Sequence, residues 1–286
     1  MKKLSLILFT ILSQAAVGAF WVLMIIQVFF TSKIAENLFS FSLIIITMMM
    51  VGSLLIAMGH LGSPLIAFKA IRHVHSSWLS REVILASFFA GLCLVTTYLQ
   101  YFKTGLSTLE TLTSWLTAII GFIFIYSMGK LYMLKTVPWW NSILTPFGFF
   151  LTATILGGLF IMLLLMIGIF VENTTINPML SEAFRLITIG ILLFLCFEML
   201  VIPTRVTRLF SGSKFQQGLV QSFMDQFGQL YYLRLGISLL GILFLGRMLL
   251  THRFSLGFFF IPFLLLVFAE FLGRYLFYAE QKSSYL

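Results

Sequence analysis

The chain has 286 residues, of which 60% are hydrophobic and 9% charged, with a mean hydropathy of +1.06. About a quarter of the residues of a soluble domain are charged, so this composition excludes a cytosolic enzyme, a secreted disulfide scaffold, a coiled coil and a disordered tail, and leaves a polytopic membrane protein. The net charge of +9 is spread between apolar runs rather than gathered into a patch, which reads as topology-setting flanks and not as a nucleic-acid surface.

Eight apolar segments follow one another. The first, Leu4–Phe30, starts after Lys2 and Lys3 and imitates a signal peptide as far as Ala19. Its apolar run continues through Trp21–Phe30, and at about 1.5 Å per residue it is long enough to cross a hydrocarbon core of about 30 Å, so a retained first helix is predicted. The others are Ser40–Met58, Val83–Phe102, Leu112–Leu134, Ile143–Val171, Pro178–Ile202, Tyr231–Leu250 and Ser255–Tyr278. Runs such as Ile155–Ile169 are apolar all round, whereas the strands of a membrane barrel alternate. The predicted fold is all-α: a polytopic helix bundle with eight transmembrane helices, both termini on the same side, forming a single integral-membrane domain over 1–286.

With both termini on one face, that face receives Lys2, Lys3, Lys69, Arg72, Arg81, Lys130, Lys135, Arg205, Arg208, Lys214, Arg234, Arg274 and Lys282. The opposite face receives only Lys33, Lys103, Arg185, Arg247 and Arg253. The excess of basic residues predicts that the terminal face is cytoplasmic. The longer connections, His60–Ser80, Lys135–Asn141 and Pro203–Leu230, fall on it too, and loops on a rigid scaffold are where binding surfaces are built.

Ionisable groups within a bilayer cost about 2.5–3.5 kcal/mol each at a helix centre, so each asks for a partner or a task. His60 closes the second segment in Met58-Gly59-His60-Leu61-Gly62-Ser63-Pro64, and Glu82 opens the third after Arg81. Together they can take up the two protons released when a quinol is oxidised; alternatively they are an interfacial histidine and a carboxylate favoured by a helix N-terminus. Glu270 and Arg274, at i and i+4, share a helix face and read either as a structural ion pair or as a ligand contact. Glu198 and Gln14 lie inside their segments as headgroup or proton-path contacts, or as interhelical hydrogen bonds. Trp139 and Trp140 read first as membrane-interface belt residues and second as a stacking platform for a flat ring. The remaining aromatic and methionine residues are assigned to lipid contact and packing.

The cysteines, Cys93 and Cys196, lie apart in apolar runs, so no iron–sulfur cluster is expected in this chain. The histidines, His60, His73, His75 and His252, all fall at or beyond a segment boundary, where they cannot form the paired axial ligands of a membrane di-haem site. No other metal-ligand set and no soluble-type catalytic motif is visible.

Three blocks resemble the membrane-anchor subunit of anaerobic dimethyl sulfoxide reductase, the DmsC family. They are Met58–Pro64 through Ala67-Phe68 with Leu79-Ser80-Arg81-Glu82; Thr136–Ile143 running into Thr145–Thr152; and Glu270-Phe271-Leu272-Gly273-Arg274 with Phe277-Tyr278. Gln14 and Gly18 fit as well. The resemblance implies a subunit that anchors a four-cluster iron–sulfur protein and, through it, a molybdopterin catalytic subunit in the bacterial inner membrane. It further implies that the subunit oxidises menaquinol without haem. His60 and Glu82 match the family's proposed quinol-site pair; Arg72, Asn141, Arg274, Gln14 and Trp139 are the further headgroup candidates. An anchor for a polysulfide or tetrathionate reductase, and a secondary transporter of a small solute, are the alternatives, although a transporter usually places its polar contacts near the midplane.

Overall fold

A computed structural model describes residues 2–29, 33–61, 74–75, 77–102, 106–171, 178–252 and 254–283, with the side chains of 2–3, 33–38, 59–61 and 282–283 excepted. The described residues form eight α-helices and no strands: α1 Lys2–Phe29, α2 Lys33–Leu61, α3 Trp78–Tyr101, α4 Ser107–Leu131, α5 Leu144–Val171, α6 Pro178–Phe210, α7 Lys214–Thr251 and α8 Leu256–Ser283. Each is long and apolar enough to cross a membrane, and the protein is a multi-pass membrane protein.

α1 packs most extensively on α5 and α2, while α3 pairs with α4 and α7 with α8. α1 and α5 are the two most buried spans, as befits helices that are hydrophobic all round. In lipid no hydrophobic force draws helices together, so close association depends on small residues that let backbones approach. A Cβ on Gly18 would lie 1.7 Å from the Ala153 carbonyl oxygen, and one on Gly157 would lie 2.0 Å from the Gly18 carbonyl carbon. These two glycines, flanked by the buried Ala15, Ala19 and Ala153, fix α1 against α5. Large apolar side chains on the outer faces, among them Leu200, Tyr232, Leu243 and Leu264, are exposed where lipid would lie.

One expectation fails. The segment 203–230, expected as a long connection, is almost entirely helical: α6 runs through Pro203 to Phe210, and α7 begins at Lys214. The turn between them is short. Ser213 accepts from the Gln216 amide, and the Gln216 side chain accepts from the Ser213 amide, closing a capping box. A Cβ at Gly212 would lie 1.8 Å from Gln216 Oε1 and displace that side chain from the capping box. At 33 and 38 residues, α6 and α7 are about 50 and 57 Å long, well beyond a core of about 30 Å, so they tilt or project past it.

Candidate functional site

Polar side chains gather inside the bundle toward the end that holds the α4–α5 and α6–α7 connections. Gln14, fully buried on α1, accepts from Arg274 Nη2 on α8 at 2.6 Å and donates from Nε2 to the Phe149 carbonyl on α5 at 3.0 Å. The Arg274 guanidinium lies 3.9 Å from the centroid of the Phe149 ring, a cation–π arrangement strengthened by burial. One amide and one guanidinium thus tie α1 to α8. Arg274 is held by Gln14; Glu270, expected as its i,i+4 partner, instead accepts from the Thr152 hydroxyl on α5 at 2.9 Å.

Next to this tie, Tyr132 and Tyr278 share an O–H···O bond of 2.9 Å. Burial, with Tyr278 and Glu82 nearby, pushes the Tyr132 phenol above its ordinary range, so it stays a neutral hydroxyl. Glu82 is 3% exposed and makes no hydrogen bond or ion pair with another described residue. Burying a carboxyl is costly unless it is hydrogen-bonded. Glu82 sits one turn into α3, whose start is capped by the Ser77 hydroxyl.

The tryptophans turn inward. Trp139 and Trp140 are 1% and 2% exposed, which removes the belt reading. The 132–144 connection folds back on itself through Val137 N–H to Leu134 O, Trp140 N–H to Val137 O and Thr145 Oγ1 to Trp140 O bonds. This sets the Trp140 ring in a stack on Phe277 at 4.9 Å, its indole N–H donating to the Phe277 carbonyl. Trp139 packs on Phe223 of α7. Its carbonyl accepts from Arg205, which also pairs with Glu280 at 2.8 Å.

Of the residues singled out in the sequence, the structure brings together Gln14, Glu82 and Arg274 around the tyrosine pair, with Trp139 beside a neighbouring cleft. Asn141 is exposed and lines a separate surface cleft with Lys135, Arg208 and Gln216. Position 60 lies in the last turn of α2, with its side chain outside the described residues, and Arg72 lies outside them altogether. Tyr132, Arg234 and Glu280 were missed as site residues. Arg234, counted as a flanking charge, pairs inside the bundle with Glu198, and the signal was there to read: an arginine between Leu233 and Leu235.

Fold and site define a class: a polytopic helical membrane subunit with a buried polar layer at one end of the bundle. The family model described as "DMSO reductase anchor subunit (DmsC)" matches residues 1–279, and the protein belongs to that family. It is 31% identical to the C subunit of anaerobic dimethyl sulfoxide reductase from Haemophilus influenzae over 161 residues, 55% of this sequence and 56% of the relative. To the corresponding C subunit from Escherichia coli K12 it is 40% identical over 97 residues, 34% of each protein. To the anaerobic dimethyl sulfoxide reductase subunit YnfH of the same strain it is 29% identical over 173 residues, 59% of this sequence and 60% of the relative. The matched stretch spans just over half of the Haemophilus relative.

Proposed function

We propose that the protein is the membrane anchor of a molybdenum-dependent respiratory reductase of the dimethyl sulfoxide type, and that it binds and oxidises menaquinol. Oxidation of one quinol to quinone releases two electrons and two protons. The electrons pass singly to the nearest cluster of a four-cluster iron–sulfur partner, and through it to a molybdopterin subunit. One quinol hydroxyl gives its proton to the Glu82 carboxylate and the other to the His60 imidazole. Arg274, fixed by Gln14, donates a hydrogen bond to the headgroup oxygen on which negative charge develops. The Tyr132–Tyr278 pair offers hydroxyls beside Glu82 and Arg274. Arg72 and Asn141 act at the rim, and Trp139 walls the neighbouring cleft.

The observation that carries this reading is Glu82: a carboxyl 3% exposed near the bundle end, within electrostatic reach of Tyr132 and Tyr278, the two phenols that Arg274 also faces. Membership of the anchor-subunit family supplies the redox context. In the bacterial inner membrane, the excess of basic residues sets both termini in the cytoplasm.

The test uses the assembled complex with a soluble menaquinol analogue. Glu82→Lys and His60→Arg are expected to leave assembly intact and to abolish quinol-dependent reduction of the iron–sulfur clusters. Cluster reduction at the wild-type rate in both variants would remove these residues from the site.

A further inference from the structure

A second group of charges lies deeper, among α5, α6, α7 and α8, and quinol binding does not use it. Glu198 on α6, 5% exposed, accepts through Oε1 from Arg234 of α7. Its other oxygen, Oε2, is buried and receives no donor. The Glu270 carboxyl of α8 lies within hydrogen-bonding reach of Glu198, while the Thr152 hydroxyl donates to Glu270 Oε2. Two carboxyl groups side by side, one with an oxygen lacking a donor, are both satisfied when a single proton is shared between them. The polar groups around this pair are Arg234 from α7, Arg274 from α8, Arg205 from α6 and, from α5, the uncharged Thr145 and Thr152.

Two small cavities adjoin beside the pair, sharing Ile202, Arg205, Arg234, Gly273 and Phe277 in their walls. Glu198, Arg205, Arg234, Glu270 and Arg274 line the inner cavity; Trp139, Arg205, Tyr231, Arg234 and Glu280 line the outer one. Five polar atoms on these walls are buried without a hydrogen-bond partner: Glu198 Oε2, the Nε atoms of Arg205, Arg234 and Arg274, and Trp139 Nε1. The free volumes decide what such walls accommodate. They are about 50 Å³ inside and 30 Å³ outside. A cavity needs about 10–15 Å³ to admit a water, whose share of the liquid is about 30 Å³, so each cavity holds one or two molecules, far too little space for a bicyclic quinone ring. Along α8, Glu270 to Glu280 is ten residues, about 15 Å, and Glu280 lies in the helix's last turn.

We propose that Glu198 and Glu270, with the two hydrated cavities running past Arg234 and Arg205 to Glu280, conduct protons from the Gln14–Arg274 layer to the end of the bundle. The proposal rests on the quinol reading, since it carries away protons released by that oxidation. Arg274 stays protonated throughout and marks where the two groups adjoin without itself relaying a proton: it bonds to Gln14 on one side and stands one helical turn from Glu270 on the other. The proton that Glu82 has accepted passes to the carboxyl pair through water beside Arg274. The carboxyl pair accepts a proton on its free oxygen and gives one up to water in the cavities, and Glu280 delivers it outside. Atoms balance, because the quinol supplies the protons and the iron–sulfur partner takes the electrons.

The test is made on the assembled complex in vesicles, with Glu198→Gln, Glu270→Gln and Glu198→Asp, and with Glu280→Gln at the mouth in case the deeper variants fail to assemble. Expected for the glutamine variants are unchanged binding of a menaquinol analogue, turnover reduced at least tenfold, and a larger solvent deuterium isotope effect, with Glu198→Asp restoring most of the turnover. Wild-type turnover and isotope effect in the glutamine variants that assemble would overturn the proposal. So would equal loss in Glu198→Gln and Glu198→Asp with an unchanged isotope effect, the pattern of a merely structural pair. Failure of the quinol reading looks different: the wild-type complex would then not reduce its clusters with the menaquinol analogue.

Discussion

Replacing Gln14 by leucine keeps the volume and removes both amide contacts, the 2.6 Å bond from Arg274 and the 3.0 Å bond to the Phe149 carbonyl. Hydrogen bonds between side chains in membrane proteins average about 0.6 kcal/mol and reach about 1.7 kcal/mol. A bond to a charged group is worth about 1.5–3 kcal/mol in general. The Gln14–Arg274 bond is short, charged and buried, which places it near the top of the membrane range, at about 1.5–2 kcal/mol. The cation–π contact with Phe149 survives the substitution and keeps the loss below that of an unpartnered buried charge. Arg274→Met removes the same bond from the other side. A double-mutant cycle of Gln14→Leu and Arg274→Met, read as unfolding equilibria in mixed detergent micelles, should therefore give a coupling of about 1.5–2 kcal/mol, with the double variant milder than the sum of the single ones. Additivity within about 0.5 kcal/mol would refute the view that this pair ties α1 to α8.

Other outcomes follow from the same geometry. Gly157→Ala forces a Cβ to 2.0 Å from the α1 backbone, and because neither backbone can step aside the loss should reach the upper part of the usual 1–3 kcal/mol for overpacking, about 3 kcal/mol, seen as a lowered melting temperature. Tyr132→Phe removes the 2.9 Å bond to Tyr278 and should cost about 1 kcal/mol in the same assay, with a weakened affinity for the menaquinol analogue. Absorption spectra of the purified subunit should show no Soret band, and a stoichiometric haem signal would contradict the histidine reading.

The eight spans were legible because each carries a long apolar run, and composition alone demanded helices. The extensions of α6 and α7 were not, because beyond the lipid a helix no longer needs to be apolar all round. A proline is tolerated within a transmembrane helix, and α6 continues through Pro203 to Phe210. The amphipathic pattern of α7 was present all the same: Leu219, Val220, Phe223 and Tyr231 are buried, while Gln217, Gln221, Asp225 and Gln229 are exposed at four-residue spacing.

In the site, Gln14, Glu82 and Arg274 stood out because polar groups in apolar runs are expensive. Their partners did not, since pairing across 260 residues is invisible to local spacing. The i,i+4 rule misled at Glu270 and Arg274 for the same reason: a shared helix face shows that two residues can meet, but the neighbouring helices supplied better partners. The tryptophans were misjudged because the interface belt is a statistical preference, and the tight turn over 137–142 carries both rings inward.

The most direct measurement is photolabelling of the assembled complex with a naphthoquinone bearing a photoreactive group on its ring, with the labelled peptides mapped by mass spectrometry. The account predicts adducts around Gln14 on α1, Glu82 on α3, Tyr132 and the Arg274–Tyr278 turn of α8, displaced by excess unlabelled menaquinol analogue and lost in Glu82→Lys. Displaceable labelling confined to the opposite end of the bundle, around Leu112, Val171 or Arg247, would contradict it.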